Sequence, residues 1–147
     1  MSIFAGMAAS ASGLTAQRLR LDVIANNIAN VSTTRTTEGG PYRRQFVVFQ
    51  AREDPSGPIV PSFFRGALGV PGRGVRVTGI QEDGSPARLV YDPDHPDADA
   101  DGYVAYPNVS VVREMVDMIS ATRAYEANAR AISAGKDMVG RALQIGT

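Results

Sequence analysis

The 147-residue chain has no cysteine, so disulfides, thiolate metal sites and a cysteine nucleophile are all excluded. It has one histidine, His95, and one lysine, Lys136; the rest of its basic side is arginine. A hydrolytic triad or a zinc centre would require His95 to meet a nucleophile or further ligands, and no such pattern accompanies it. Formal net charge is zero and the arginines are interspersed with carboxylates, which argues against nucleic acid as the main partner. No segment reaches the roughly 18 apolar residues of a membrane span. No basic segment precedes Arg18, so a conventional secretory leader is not expected.

Proline is also missing from 3–30. Phe4, Met7, Ala11, Leu14, Leu21, Ala25 and Ile28 recur there in alternating steps of three and four, with Arg18 interrupting. That spacing predicts a helix with a heptad-like stripe, about 42 Å long. Ser10, Ser12 and Gly13 weaken it locally, and Ala8, Ala9 and Ala11 allow close approach but bury little surface each, so partners are needed to order it. Val23 and Ile24 fall off the stripe and predict a second apolar face. Asn26, Asn27 and Asn30 read either as a fraying helix end or as polar contacts to neighbouring chains.

At the other end, Pro107 precedes a second long helix, with Asn108 as a plausible N-cap. Val111, Met115, Met118, Thr122, Tyr125, Ala129, Ile132, Val139 and Leu143 form its stripe, and Val112, Val116 and Ile119 add apolar surface beside it. Methionine and tyrosine at this spacing read as packing residues, so no cofactor is assigned. Leu14, Leu21 and Ile28 are expected to pack against Met118, Tyr125 and Ile132, within one chain or between neighbours. Val23, Ile24, Val116 and Ile119 are expected to stay exposed in a monomer and to mark an interface.

Between the helices lie a turn-prone linker from Val31 to Arg44 and short β-type runs at Gln45–Gln50, Val75–Ile80 and Ala87–Tyr91. The expected fold is α+β. A helix in 1–31 and another in 108–147 form one discontinuous, coiled-coil-like helical domain. A linker and a small β-rich unit fill 32–107.

Asp97-Ala-Asp-Ala-Asp-Gly102 matches the start of an EF-hand loop, but its twelfth position is Asn108 where a bidentate glutamate is needed. The expectation is a solvated acidic turn without calcium. The glycines at 66, 69, 72 and 74 lack the G-K-[ST] ending of a phosphate-cradling loop. No carboxylate pair sits in a recognisable hydrolase context, and neither an enzyme nor a small-molecule substrate is expected.

Leu21-Asp-Val-Ile-Ala-Asn-Asn-Ile-Ala-Asn-Val31 resembles the N-terminal signature of the bacterial flagellar axial proteins, the family of rod, hook and hook-associated subunits. Glu114-Met-Val-Asp-Met-Ile119 with Arg123-Ala-Tyr-Glu-Ala-Asn128 resembles their C-terminal signature. Short length and a small middle point to the rod. Pro41–Gln50, Leu89–Pro93 and Asp101–Val109 resemble the proximal-rod type, as does the threonine-rich stretch after the asparagine motif; the likeness is weakest over 52–73. The alternatives are another axial rod subunit or a non-flagellar coiled-coil adaptor.

The resemblance implies a structural subunit that leaves the cell unfolded through the flagellar type III export machinery, without a cleaved signal. It implies helices lining the inner tube of a periplasm-spanning rod, a β unit outside, and a hollow shaft that transmits torque and passes later subunits. Its partners would be further copies, neighbouring rod proteins and the adaptor at the export apparatus and MS ring. The residues expected at helix-packing or subunit interfaces are Leu14, Leu21, Val23, Ile24, Ile28 and the amides Asn26, Asn27 and Asn30. On the C-terminal helix they are Met115, Val116, Met118, Ile119, Tyr125, Asn128 and Ile132.

Overall fold

A computed structural model describes residues 3–52 and 73–145. Helix α1 runs over Ile3–Ala29, β1 over Gln45–Ala51, β2 over Val75–Glu82, β3 over Arg88–Tyr91, β4 over Tyr103–Tyr106 and α2 over Val111–Ile145. The architecture is α+β, with long helices flanking a β-rich middle. Strands β1 and β2 pair in one two-stranded sheet and β3 and β4 in another. The β3–β4 ribbon is antiparallel, with Leu89 opposite Ala105, Val90 opposite Val104 and Tyr91 opposite Tyr103. The breaker at 54–58, Pro61–Arg65, the glycines at 66, 69 and 72, and the expected stop at Gly146 lie outside the described residues.

Both helices start where local chemistry allows. The proline-free segment leaves α1 uninterrupted to its last turn, where the Asn30 amide closes on the Asn26 carbonyl at 3.1 Å. At α2 the Ser110 carbonyl accepts the Glu114 N–H at 3.0 Å, so Ser110 holds the N-cap position expected of Asn108. Asn108 is engaged elsewhere: its Oδ1 accepts the Arg44 N–H at 2.9 Å.

The chain divides into two compact units, each taking a length of both helices. In the unit containing 3–18, 49–52, 73–78 and 123–145, Gly13 lies against Asn128 and Gly135 against Met7, so the helix segments run antiparallel. Ser12 accepts the Val75 N–H at 3.0 Å. Gly74, at φ +98°, lies where any Cβ would strike the Ser12 hydroxyl, so glycine is required there by both conformation and space.

In the unit containing 19–48 and 79–122, Arg20 meets Asp117 and Asn27 meets Glu114, again antiparallel. Val104, Ala121, Val23 and Ile24 are buried. The turn from β3 to β4 is closed by the Asp99 carboxylate, whose Oδ1 accepts the Asp101 and Tyr103 N–H groups at 3.0 and 2.8 Å. Strand β4 was not expected from the residues; its four positions sit between that turn and Pro107 and show too short a pattern to register.

The enclosed face of each helix differs from the expected stripe. On α1 the buried residues are Ala16, Val23, Ile24 and Asn27. Ala16 and Val23 stand two positions beyond Leu14 and Leu21, roughly 200° around the axis. Leu14, Leu21 and Ile28 are only half-buried. On α2 the buried positions Glu114, Ala121 and Gly135, with half-buried Asn128, repeat every seven residues. Met118 and Ile132 are half-buried beside them, and Tyr125 is 38% exposed. The expectation that Val23 and Ile24 remain exposed is overturned: they retain 6% and 4% of their surface. Apolar spacing pointed elsewhere because the seam is built from small residues that let backbones approach, and from polar side chains that pair.

Candidate assembly interface

Asn27 is fully enclosed and saturates all four of its hydrogen-bonding positions. Its Oδ1 accepts the Gln45 N–H and the Tyr42 hydroxyl, each at 2.9 Å. Its Nδ2 donates to the Gln45 carbonyl at 2.8 Å and to Glu114 Oε2 at 3.0 Å. The side-chain amide therefore pairs with the backbone of Gln45 as a neighbouring strand would, tying the end of α1 to the start of β1. Asn26 reaches the Tyr42 hydroxyl at 3.3 Å, and Asn30 donates to the Asn26 carbonyl and Oδ1 at 3.0 Å. The asparagine motif is thus a junction within the chain, and enclosed Asn27 has no surface left for a neighbour.

Glu114, also fully buried, takes the Arg44 Nε at 2.6 Å on its other oxygen. Arg44 continues to Asp117 at 3.5 Å, and Arg20 meets the other Asp117 oxygen at 2.9 Å. The Arg44 carbonyl accepts the Asp83 N–H at 2.7 Å. One residue thereby joins β1, the end of β2 and the first turns of α2. Such a buried ion pair is sustained by full hydrogen bonding, and losing either partner strands the other.

Two ionisable groups beside this network are shifted. Burial, with the nearby negative charges of Glu114 and Glu82, raises the Tyr42 phenol above its ordinary value. Asp83 is held below the usual carboxylate range because the Ser85 hydroxyl and N–H donate to it at 2.6 and 2.9 Å, aided by Arg44 and Arg113.

The acidic loop and His95 serve local structure. Asp97 accepts the Thr34 hydroxyl at 2.8 Å, and His95 Nδ1 accepts the Asp97 N–H at 3.1 Å. A cleft of about 250 Å³ is lined by Thr34, Arg35, Gly40, Pro41, Asp97 and Ala105, and its one hydroxyl–carboxylate pair, Thr34 with Asp97, ties the linker to the acidic loop. Among the described residues, no three histidine or carboxylate groups converge as a metal site would require.

What this framework leaves in water is a stripe on α2. Val112, Met115, Val116 and Ile119, at helical spacing, keep 74%, 54%, 63% and 55% of their surface. These are four large apolar side chains left exposed along one face of the helix. Of these, Met115, Val116 and Ile119 were anticipated as interface residues. Glu114, Arg44 and Tyr42 were not; only Glu114 within the C-terminal signature signalled the network beforehand.

Long helices at the chain ends flank a β-rich middle, and α2 carries an exposed apolar stripe, an organisation of a structural subunit rather than of a catalytic pocket. The family model described as flagella basal body rod protein matches residues 7–35. That described as flagellar basal body rod FlgEFG protein C-terminal matches 100–145. The chain is 53% identical to the flagellar basal-body rod protein FlgC of Borreliella burgdorferi, over 99% of this chain and 98% of that protein. It is 48% identical to FlgC of Bacillus subtilis over 99% of both chains. With FlgC of Aquifex aeolicus identity is 40%, over 98% of this chain and 97% of that one. The chain belongs to the FlgC family of flagellar basal-body rod proteins, and its role is that of a structural subunit of the rod.

Proposed function

We propose that this subunit polymerises into the wall of a hollow proximal rod, with the α1–α2 pair lining the tube and the β ribbons outside it. The observation that carries this reading is the exposed α2 stripe from Val112 to Ile119, an apolar surface on a protein whose family builds a rod. Burying such a side chain gains roughly 1.5–3 kcal/mol. Shared among several neighbours in a helical lattice, modest contacts of this kind hold firmly together. Leu14, Leu21 and Ile28, half-buried on α1, join the interface where neighbouring copies close over them, and Tyr125 and Ile132 do the same on α2. The assembled wall transmits torque and conducts later subunits. The subunit reaches it through the flagellar type III export machinery without a cleaved signal and docks on neighbouring rod proteins and the adaptor at the MS ring. It does no catalysis and takes no cofactor.

The natural chain has no cysteine, so labelling can test this directly. Val116→Cys should react with a maleimide in the soluble protein and be protected in purified basal bodies. Equal reactivity in both states would place the stripe in solvent and remove the basis of the reading.

A further inference from the structure

A second apolar surface is carried by the β3–β4 ribbon. Leu89 and Tyr91 alternate along β3 and lie opposite Ala105 and Tyr103 on β4, so the four share one face of the ribbon. The other face is the enclosed one, where Val104 has no exposed surface. On the outer face Leu89 keeps 66%, Tyr91 65% and Tyr103 44%. The two tyrosine rings meet edge to face with centroids 5.4 Å apart, a preset and stiff aromatic platform. At one end of that platform the connecting turn carries Asp92, Asp94, Asp97, Asp99 and Asp101.

We propose that this ribbon face receives the α2 stripe of a second copy of the chain, head to tail along the rod. The inference rests on the reading of α2 as an assembly surface and names what covers it. A polymer that does not close on itself needs two different, complementary patches on each subunit. Among the described residues, the α2 stripe and the ribbon face are apolar patches on separate elements, and each keeps much of its surface exposed.

Charge supports the pairing. The latch consumes Glu114 and Asp117. The remaining charged residues of α2 are Arg113, Arg123, Arg130, Lys136 and Arg141 against Glu126 and Asp137, all exposed. Those nearest the stripe, Arg113 and Arg123, are positive, whereas the turn beside Tyr91 and Tyr103 is dominated by aspartate. Juxtaposed surfaces of opposite sign favour this register over a contact of α2 with α2 or of ribbon with ribbon.

The test is disulfide cross-linking in purified basal bodies from cells carrying Leu89→Cys with Val116→Cys, and separately Tyr91→Cys with Ile119→Cys. Under oxidation each double variant should give a ladder of linked subunits, and each single variant should give none. Rods that contain a double variant yet give no ladder from either pair overturn the proposal. Val116 protected from maleimide in those same rods would show that the stripe is an interface with another occupant. A dimer from Val116→Cys alone would mean that α2 meets α2, and would also overturn it. If a cysteine variant fails to enter the rod, Leu89→Glu and Val116→Arg decide the matter: each alone should block incorporation and the pair should restore it at least tenfold over either single. No restoration by the pair counts against the contact.

Discussion

Replacing Glu114 with alanine removes the acceptor for two donors at once. Arg44 loses its 2.6 Å partner while its side chain remains only 17% exposed, and Asn27 loses the acceptor for one Nδ2 proton. Removing one member of a buried pair costs roughly 3–5 kcal/mol when nothing compensates. Here Asp117 stays within 3.5 Å of Arg44, so the ion-pair share falls to about 2 kcal/mol. Asn27 keeps its bond to the Gln45 carbonyl, and the single stranded amide proton adds about 1 kcal/mol. The expected destabilisation is about 3 kcal/mol, equivalent to a fall in Tm of roughly 6–12 °C at this chain length. Urea unfolding followed by far-ultraviolet circular dichroism reads it as a lower midpoint at unchanged slope. The paired replacement Arg44→Met with Glu114→Leu should cost less than Glu114→Ala, because it removes both buried charges together. A loss below about 1 kcal/mol for Glu114→Ala, or a double variant worse than the single, would refute the latch as described.

Tyr42 retains its proton in the fold beyond the pH at which the unfolded chain loses it. Its contribution is therefore fully present below the ordinary phenol range and is lost as pH rises through the raised folded value. An ultraviolet difference titration of the natural chain against Tyr42→Phe should show the missing phenol ionising above the ordinary phenol range, and the variant should be less sensitive to alkali. Gly135 and Gly13 should separate close packing from helix propensity. A Cβ at 135 meets the flexible Met7 at 3.0 Å, so Gly135→Ala should be neutral or stabilise by up to about 1 kcal/mol. Gly13→Leu, pressed against the Asn128 amide, should cost roughly 1–3 kcal/mol, read by thermal unfolding.

Both helices, three of the four strands among the described residues and the α+β arrangement were legible in the residues, because proline placement and apolar periodicity act locally. The helix seam was not. Periodicity rewards large apolar residues, and this seam uses Ala16, Ala121 and Gly135 with Asn27 and Glu114. Their burial depends on partners distant in sequence: Arg44 lies 70 residues from Glu114. No local pattern could distinguish an exposed glutamate in a first helical turn from one enclosed by an arginine of another element. The same blindness assigned Val23 and Ile24 to the outside. Once the small and polar residues had taken the inner face of α2, Val116 and Ile119 remained outside, as the apolar spacing had placed them, and Met115, expected on the packing stripe, joined them there.

The central claim is that this α2 stripe fastens the subunit into the rod. It is tested most directly by Val116→Asn with Ile119→Asn. Both side chains are more than half exposed, so the variant should unfold at the same urea midpoint as the natural chain and be exported equally. The account predicts that basal bodies purified from such cells lack the subunit and that the cells do not swim. Basal bodies containing the double variant at the normal level, in motile cells, would contradict it.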